Sequence, residues 1–232
     1  MMSTYQARRG QLETYFDRTA SDAWAKLTSD APVSGIRATV RAGRDRMRAT
    51  LLSWLPDDMR GLRLLDAGCG TGALSVEAAR RGAHVTAIDL SATLVALAQE
   101  RAPRDLGEGR IDFAVGDMMA PDMAMFDHIV AMDSLIHYKP DDMLRVLSHF
   151  GAHAHKSVVF TIAPATPLLT TMLAMGRLFP RSDRSPAIVP VRPKRLVRRT
   201  TATPQMQAWL GGRDHRISAA FYMSHALELV HR

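Results

Sequence analysis

The segment Leu64 to Gly72, LLDAGCGTG, constrains the fold of this chain more than any other part of it. The apolar run LRLLDAG has strand character, turns through Gly68, Gly70 and Gly72, and passes at once into a helix-like stretch, Ala73 to Arg81. Glycines there let the backbone bend tightly and come close to a ligand, as in the first βα turn of a Rossmann-like sheet. A glycine turn alone is a weak signal. Its form is more telling, because G-x-G-x-G with Asp66 just ahead differs from the dinucleotide fingerprint G-x-G-x-x-G.

The chain on either side of the turn strengthens the reading. From Leu62 onward short apolar runs alternate with helical stretches: LRLLDAG, Ala73 to Arg81, HVTAID, Ala92 to Arg101, IDFAV, FDHIVAM, a helix near Asp141 to Phe150, and SVVFTIA. This alternation predicts an α/β fold: a Rossmann-like, doubly wound, mostly parallel sheet with helices on both faces. The tail HRISAAFYMSHALELV should close it as an antiparallel C-terminal edge pair. Ahead of the sheet, Gln6 to Leu27 and Ile36 to Leu55 read as two helices, the second with Ile36, Val40, Met47, Leu51 and Leu55 close to helical spacing. Prolines at 164, 167, 180, 186, 190, 193 and 204 break the rhythm after Ala163. They predict an insertion over the open end of the sheet, with one apolar helical piece at Leu168 to Phe179.

Three acids stand at three successive strand ends. A carboxylate at Asp66 disfavours a pyrophosphate on the following helix and favours an ammonium and a sulfonium. Asp89 lies twenty-one positions beyond Gly68, where an acid accepts hydrogen bonds from both ribose hydroxyls. Asp117 ends the next strand and suits an adenine amino group, with Leu90 and Met118 placed to sandwich the ring. A single acid after a strand also serves as a helix cap. All three in register behind the glycine turn point to S-adenosylmethionine, with S-adenosylhomocysteine as the product. Met132, at the end of FDHIVAM, and Tyr15, in the N-terminal arm, complete the expected cofactor set. The chain then divides into a helical arm over the cofactor site (1–60), a cofactor-binding core (61–163), an inserted substrate cap (164–204) and C-terminal strands that complete the sheet (205–232).

Composition narrows the setting. At 232 residues with 47% hydrophobic content the chain can bury one substantial core. Cys69 is the single cysteine, which excludes an internal disulfide and suits a reducing cytoplasm; inside the glycine turn it reads as a small filler. No Cys/His cluster has zinc spacing, so no bound metal is expected. The N-terminus lacks an apolar signal region and no later run is long enough to span a membrane, so the protein is expected to be soluble or only surface-attached. The net charge of +7 is matched by one segment: Arg177, Arg181, Arg184, Arg192, Lys194, Arg195, Arg198 and Arg199 against Asp183. Such a patch suits nucleic acid, anionic lipid or an acidic substrate, and equally a solvated face.

Beyond the cofactor loop, four places carry a resemblance: YFDRTASDAW at Tyr15 to Trp24, RAGRDRMR at Arg41 to Arg48, MDSLIHY at Met132 to Tyr138 and FPRSDRSPAIVP at Phe179 to Pro190. The ending FYMSHALELV agrees with them. Over essentially Tyr5 to Val230 the chain resembles the magnesium protoporphyrin IX methyltransferases of chlorophyll and bacteriochlorophyll biosynthesis. The resemblance implies methyl transfer from S-adenosylmethionine to one propionate carboxylate of magnesium protoporphyrin IX, giving the monomethyl ester, with magnesium present only as part of the substrate. It also implies handover of the pigment from the large subunit of magnesium chelatase. In one respect the chain departs from the family pattern: an aromatic is frequent a few residues past the tryptophan, where this chain has Leu27 and Thr28, so no role tied to that aromatic is carried over.

The residues suit that chemistry on their own terms. A propionate has a pKa near that of Glu, about 4.3, so it is ionised at neutral pH and needs no general base. Catalysis is then mainly alignment in a dry site. His137, a few residues beyond a strand's carboxyl end, is the expected catalytic residue, orienting the carboxylate; the plain alternative is a satisfied edge histidine. Asp133 and Ser134 shape the same loop, and Tyr138 joins the substrate set. Arg181 and Arg184 suit the second propionate, or are ordinary loop charge. Met118, Met119, Met123 and Met125 either conform to a flat macrocycle or fill the core. Tyr15, Phe16 and Trp24 either exclude water or staple the arm. Rival readings are a methyltransferase of a quinone or similar lipophilic metabolite, and an RNA-binding methyltransferase. With one aromatic in the basic segment, stacking platforms are scarce, so no nucleic acid partner is expected. A cytoplasmic location is expected, with peripheral contact at an inner or photosynthetic membrane left open.

Overall fold

A computed structural model describes residues 4–19, 35–120, 123–167, 169–171, 187–219 and 221–232. Helix α1 (Thr4–Thr14) runs into a single π turn (Tyr15–Thr19), and α2 (Gly35–Leu52) leads to the sheet. There follow β1 (Arg63–Ala67), α3 (Ala73–Arg80), β2 (His84–Asp89), α4 (Ala92–Arg101), β3 (Arg110–Val115) and β4 (Phe126–Ala131). The chain continues through α5 (Pro140–His153), β5 (Ala154–Ile162), α6 (Pro193–Thr201), β6 (Trp209–Ala219) and β7 (Tyr222–His231). The seven strands lie in the order β3-β2-β1-β4-β5-β7-β6. Strands β1 to β5 are parallel, and β7 is antiparallel to both β5 and β6. The expected Rossmann-like sheet with an antiparallel C-terminal pair is therefore the observed one.

Period-two alternation sorts the strand residues between two cores. Leu65, Ala67, Ile129, Ala131, Val158 and Phe160 pack with Met143, Val146, Leu147 and Phe150 of α5. Their neighbours Leu64, Val130 and Val159 face the other way, onto Met47 and Leu51 of α2 and Leu74 and Ala78 of α3. Met143, Leu147 and Phe150 are fully buried, each contributing roughly 1.5–3 kcal/mol relative to exposure. The helix starts are set locally. Gly72 has φ 77 ahead of α3, Ser91 Oγ accepts from Leu94 N at 3.2 Å to cap α4, and Pro140 with Asp141 and Asp142 opens α5. The strand order puts the reversal of winding between β1 and β4, where a doubly wound sheet opens a crevice at its carboxyl edge.

Where the observed elements differ from the sequence expectation, the reasons are physical. The first expected helix, Gln6 to Leu27, gives way at Tyr15 to the π turn, and its remainder past Thr19 lies outside the described residues. Strand β6 begins at Trp209, six residues before HRIS; as the sheet's edge it buries little besides Trp209 and Ile217, so WLGGRD lacks an alternating apolar pattern. Helix α6 was not legible because it buries only Leu196 and Thr200. Of the apolar piece Leu168 to Phe179 only residues 169–171 are described; Leu169 packs on Ala163 and Met223, with Ile136 and Ile188 alongside. The returning chain is tied at the sheet's carboxyl edge, where Val191 N donates to Ala163 O and Val189 N to Ile136 O, both at 2.8 Å.

Candidate active site

The carboxyl ends of β1, β2, β3 and β4 converge on one pocket, about 690 Å³ of empty space including its mouth. Gly68 and Gly70 come from β1, Ile88, Asp89 and Leu90 from β2, Gly116 and Met118 from β3, and Met132, Asp133, Ser134, His137 and Tyr138 from the loop after β4. The arm contributes Leu12 and Phe16, α2 contributes Arg44, and α4 contributes Leu94. Eleven of the residues singled out from sequence thus line one cavity: Phe16, Gly68, Gly70, Asp89, Leu90, Met118, Met132, Asp133, Ser134, His137 and Tyr138.

On the cofactor side, Gly70 N donates to Asp89 Oδ2 at 2.8 Å and Ser91 N to Oδ1 at 3.0 Å. These bonds fix the carboxylate while leaving each oxygen acceptor capacity for a ribose hydroxyl. Burial pushes the Asp89 pKa up, and the backbone N–H groups hold it down. Gly68, at φ 84, allows the close approach of β1 to the loop after β4: a Cβ there would stand 2.5 Å from Ser134 Cβ. Gly70, at φ 54, has nothing within 4 Å of such a Cβ, so its left-handed backbone faces open space. Ser134 Oγ is buried in the pocket wall with no hydrogen-bond partner. A glycine cradle, a fixed acid and an orphaned hydroxyl are what an adenosyl amino acid requires, so these residues fit S-adenosylmethionine.

In the loop after β4, His137 ends a short 3-10 turn (Leu135–His137) and is 6% exposed. The Phe16 ring lies 6.0 Å from its ring, and Tyr5 stacks on the fully buried Tyr138 at 5.0 Å. The arm therefore closes this end with aromatic rings, which keeps water from the histidine. Tyr15 stands edge-on to Phe16 at 5.1 Å and is not in the wall.

Three other expected cofactor residues lie outside the lining. Asp66 is 1% exposed and accepts from Ser75 Oγ at 2.6 Å; burial raises its pKa to about 6. Gly72 caps α3, its Cβ position 3.1 Å from Phe113. Asp117 is held by the arm, accepting from Tyr5 Oη at 2.5 Å and from Arg9 at 3.0 Å. Met119 and Met123 pack against the core and Met125 is 40% exposed, so of the four methionines Met118 alone reaches the pocket. Burial drives the Cys69 thiol upward, as expected of a filler. Arg181, Arg184 and Trp24 lie outside the described residues. Among those described, no three His, Cys, Asp or Glu side chains gather to hold a metal, and no helix is long and apolar enough to cross a membrane.

Sequence reasoning passed over Arg44. It was nevertheless signalled: in the stripe Val40, Met47, Leu51 the turn between 40 and 47 carries an arginine where an apolar residue would continue the face.

A glycine-turn pocket at the carboxyl edge of this sheet defines the Rossmann-like methyltransferase class, and a methyltransferase-domain family model matches residues 64–156. The chain belongs, more narrowly, to the magnesium-protoporphyrin O-methyltransferase family. It is 47% identical to the Rhodobacter capsulatus magnesium-protoporphyrin O-methyltransferase, over 98% of this chain and 99% of that protein. The Synechocystis enzyme of the same name is 32% identical over 74% of this chain and 75% of its own. The model for the C-terminus of magnesium-protoporphyrin IX methyltransferase matches residues 131–231, from the His137 loop through β7. A crystal structure of Synechocystis magnesium protoporphyrin IX methyltransferase with bound SAH superposes with a TM-score of 0.84 at 27% identity, covering 97% of this chain and 100% of that one.

Proposed function

We infer that this chain transfers a methyl group from S-adenosylmethionine to one propionate carboxylate of magnesium protoporphyrin IX, giving the monomethyl ester in chlorophyll or bacteriochlorophyll biosynthesis. One observation carries the reading: a single pocket joins the glycine turn and Asp89 to the buried His137 loop, in a chain that aligns end to end with a magnesium-protoporphyrin O-methyltransferase. When bound, S-adenosylmethionine supplies a methyl group activated by its sulfonium. Asp89 takes the ribose, Leu90 and Met118 enclose the adenine, and Gly68, Gly70 and Met132 border the amino-acid portion. Asp66 acts from behind the turn as a buried negative charge. Asp117 latches α1 through Tyr5 and Arg9 rather than facing the base, and Tyr15 supports Phe16.

The acceptor propionate is ionised at neutral pH, so the chain needs no base to activate it. His137 orients the carboxylate, Tyr138 walls its path, and Phe16 excludes water. Arg181 and Arg184 are assigned to the second propionate because guanidinium groups bind carboxylates through paired donors. Binding of magnesium protoporphyrin IX and of its dimethyl ester, followed by the porphyrin absorption shift, tests these roles. The ester should bind at least about tenfold more weakly, from lost charge-assisted hydrogen bonds; equal binding would remove the carboxylate contacts from the account.

We also propose the large subunit of magnesium chelatase as the donor of this pigment, on the resemblance and on the poor water solubility of porphyrins. Peripheral contact with an inner or photosynthetic membrane, from the cytoplasmic side, is supported by exposed Arg192, Lys194, Arg195 and Arg198 on and beside α6. Sedimentation with vesicles containing phosphatidylglycerol, lost in high salt, is the expected result. Protein left in the supernatant at low salt would contradict it.

A further inference from the structure

We propose that Arg44 holds the carboxylate of the cofactor's amino-acid portion, and that Asp133, braced by the C-terminal hairpin, positions it. The proposal rests on the cofactor reading above and extends it to residues that reading does not use. Along the pocket the order of walls follows the sheet: Gly116 and Met118 at β3, Asp89 and Leu90 at β2, Gly68 and Gly70 at β1, then Met132, Asp133 and Ser134 at β4. A nucleoside with its ribose on Asp89 and its base toward Met118 directs its 5′ substituent to the β1 and β4 end. That substituent ends in an α-carboxylate, which requires a cation or donors. Arg44 is the one guanidinium in the pocket wall among the described residues, and a guanidinium's fork of donors matches a carboxylate.

The surroundings of Arg44 are built to hold it. Its Nη1 donates to Asp133 Oδ2 at 2.6 Å, and the Asp133 side chain is 8% exposed. The same carboxylate accepts from Tyr222 Oη at 3.1 Å, Ser224 Oγ at 3.3 Å and Thr161 Oγ1 at 3.2 Å. Protein donors from α2, β5 and β7 thus saturate Asp133, so it is not available as a primary acceptor for a ligand ammonium. Asp133 is also the one non-glycine residue with positive φ, 55°, among those described, and Asp133 N donates to Thr161 Oγ1 at 2.7 Å. A strained residue held by so many partners marks a place where position matters. Next to it, the partnerless buried Ser134 Oγ supplies a second donor for the same end. A buried hydroxyl left unpaired is costly, and a ligand carboxylate would relieve it.

The test compares two ligands that share the nucleoside and thioether: S-adenosylhomocysteine and 5′-methylthioadenosine, which lacks the amino-acid portion. Calorimetry would follow both on the full chain, with Arg44→Gln, Arg44→Lys and Tyr222→Phe. Arg44→Gln should weaken S-adenosylhomocysteine about 30- to 100-fold, the range of a lost charge-assisted pair, and 5′-methylthioadenosine less than about threefold. Arg44→Lys should recover part of the difference, and serves if the glutamine variant does not fold. Tyr222→Phe should weaken S-adenosylhomocysteine alone, by about three- to tenfold. Equal losses for both ligands would make Arg44 a structural residue, and no loss for S-adenosylhomocysteine would equally overturn the assignment. Parent protein that bound neither ligand would refute the cofactor reading itself, a separate outcome.

Discussion

Replacing Asp66 with Asn should stabilise the ligand-free protein near neutral pH, by an amount that grows as pH rises. The folded carboxyl has a pKa of about 6 against a reference of 3.8, with burial the leading cause. A folded pKa above the unfolded one means the native state binds the proton more tightly. The associated stability is therefore fully present below about pH 3.8 and is lost as pH rises through 6. Each pH unit between the two values corresponds to about 1.4 kcal/mol, so ionised Asp66 costs the fold on the order of 3 kcal/mol at pH 7.5. An asparagine keeps an oxygen to accept from Ser75 Oγ, now bonded at 2.6 Å, and removes the charge. Any change in that bond gives a pH-independent offset, so the signal is the pH dependence of the difference. Urea unfolding of parent and Asp66→Asn from pH 4 to pH 8 measures it. The stability difference should move in favour of the variant by about 2.5 kcal/mol across that range. A difference constant with pH would refute the reasoning, since it would mean that Asp66 titrates alike in the folded and unfolded chain.

His137→Phe should lower methyl transfer about 100-fold, the usual scale for losing an orienting group, with S-adenosylhomocysteine affinity within about threefold of the parent; equal turnover would dispose of its role. Gly68→Ala sets a Cβ 2.5 Å from Ser134 Cβ at a φ of 84°, so it should cost about 2 kcal/mol of stability and at least tenfold in cofactor affinity, seen by urea unfolding and calorimetry. Tyr5→Phe keeps the ring stacked on Tyr138 but removes the bond to Asp117, so hydrogen exchange in α1 should quicken while that in β4 stays unchanged; unaltered exchange in α1 would show that the latch does not hold the arm.

Local patterns made much of this legible. The strand-turn-helix at Leu64 to Arg81 and the acid at Asp89 are read from neighbours in sequence, and both sit where that reading puts them. Asp117 marks its limit. Its position after β3 is right, but both oxygens are engaged by Tyr5 and Arg9, more than a hundred residues earlier, and no local pattern encodes that contact. Arg44 escaped for the same reason, and Asp133 was read only as shaping its loop: Arg44 is bonded to Asp133, whose other partners Tyr222 and Ser224 arrive from the C-terminal hairpin. Phe16 rather than Tyr15 faces the pocket because the helix turns from α to π at Tyr15, which shifts the side-chain directions that ordinary helical spacing assumes.

The central claim is that a porphyrin carboxylate receives the methyl group. Purified protein incubated with methyl-labelled S-adenosylmethionine and magnesium protoporphyrin IX, beside the metal-free porphyrin and the magnesium dimethyl ester, tests it most directly. One label per molecule is expected on the magnesium pigment, in an ester that mild alkali releases, and none on the dimethyl ester. Magnesium protoporphyrin IX that stays unlabelled, or label that alkali does not release, would contradict it.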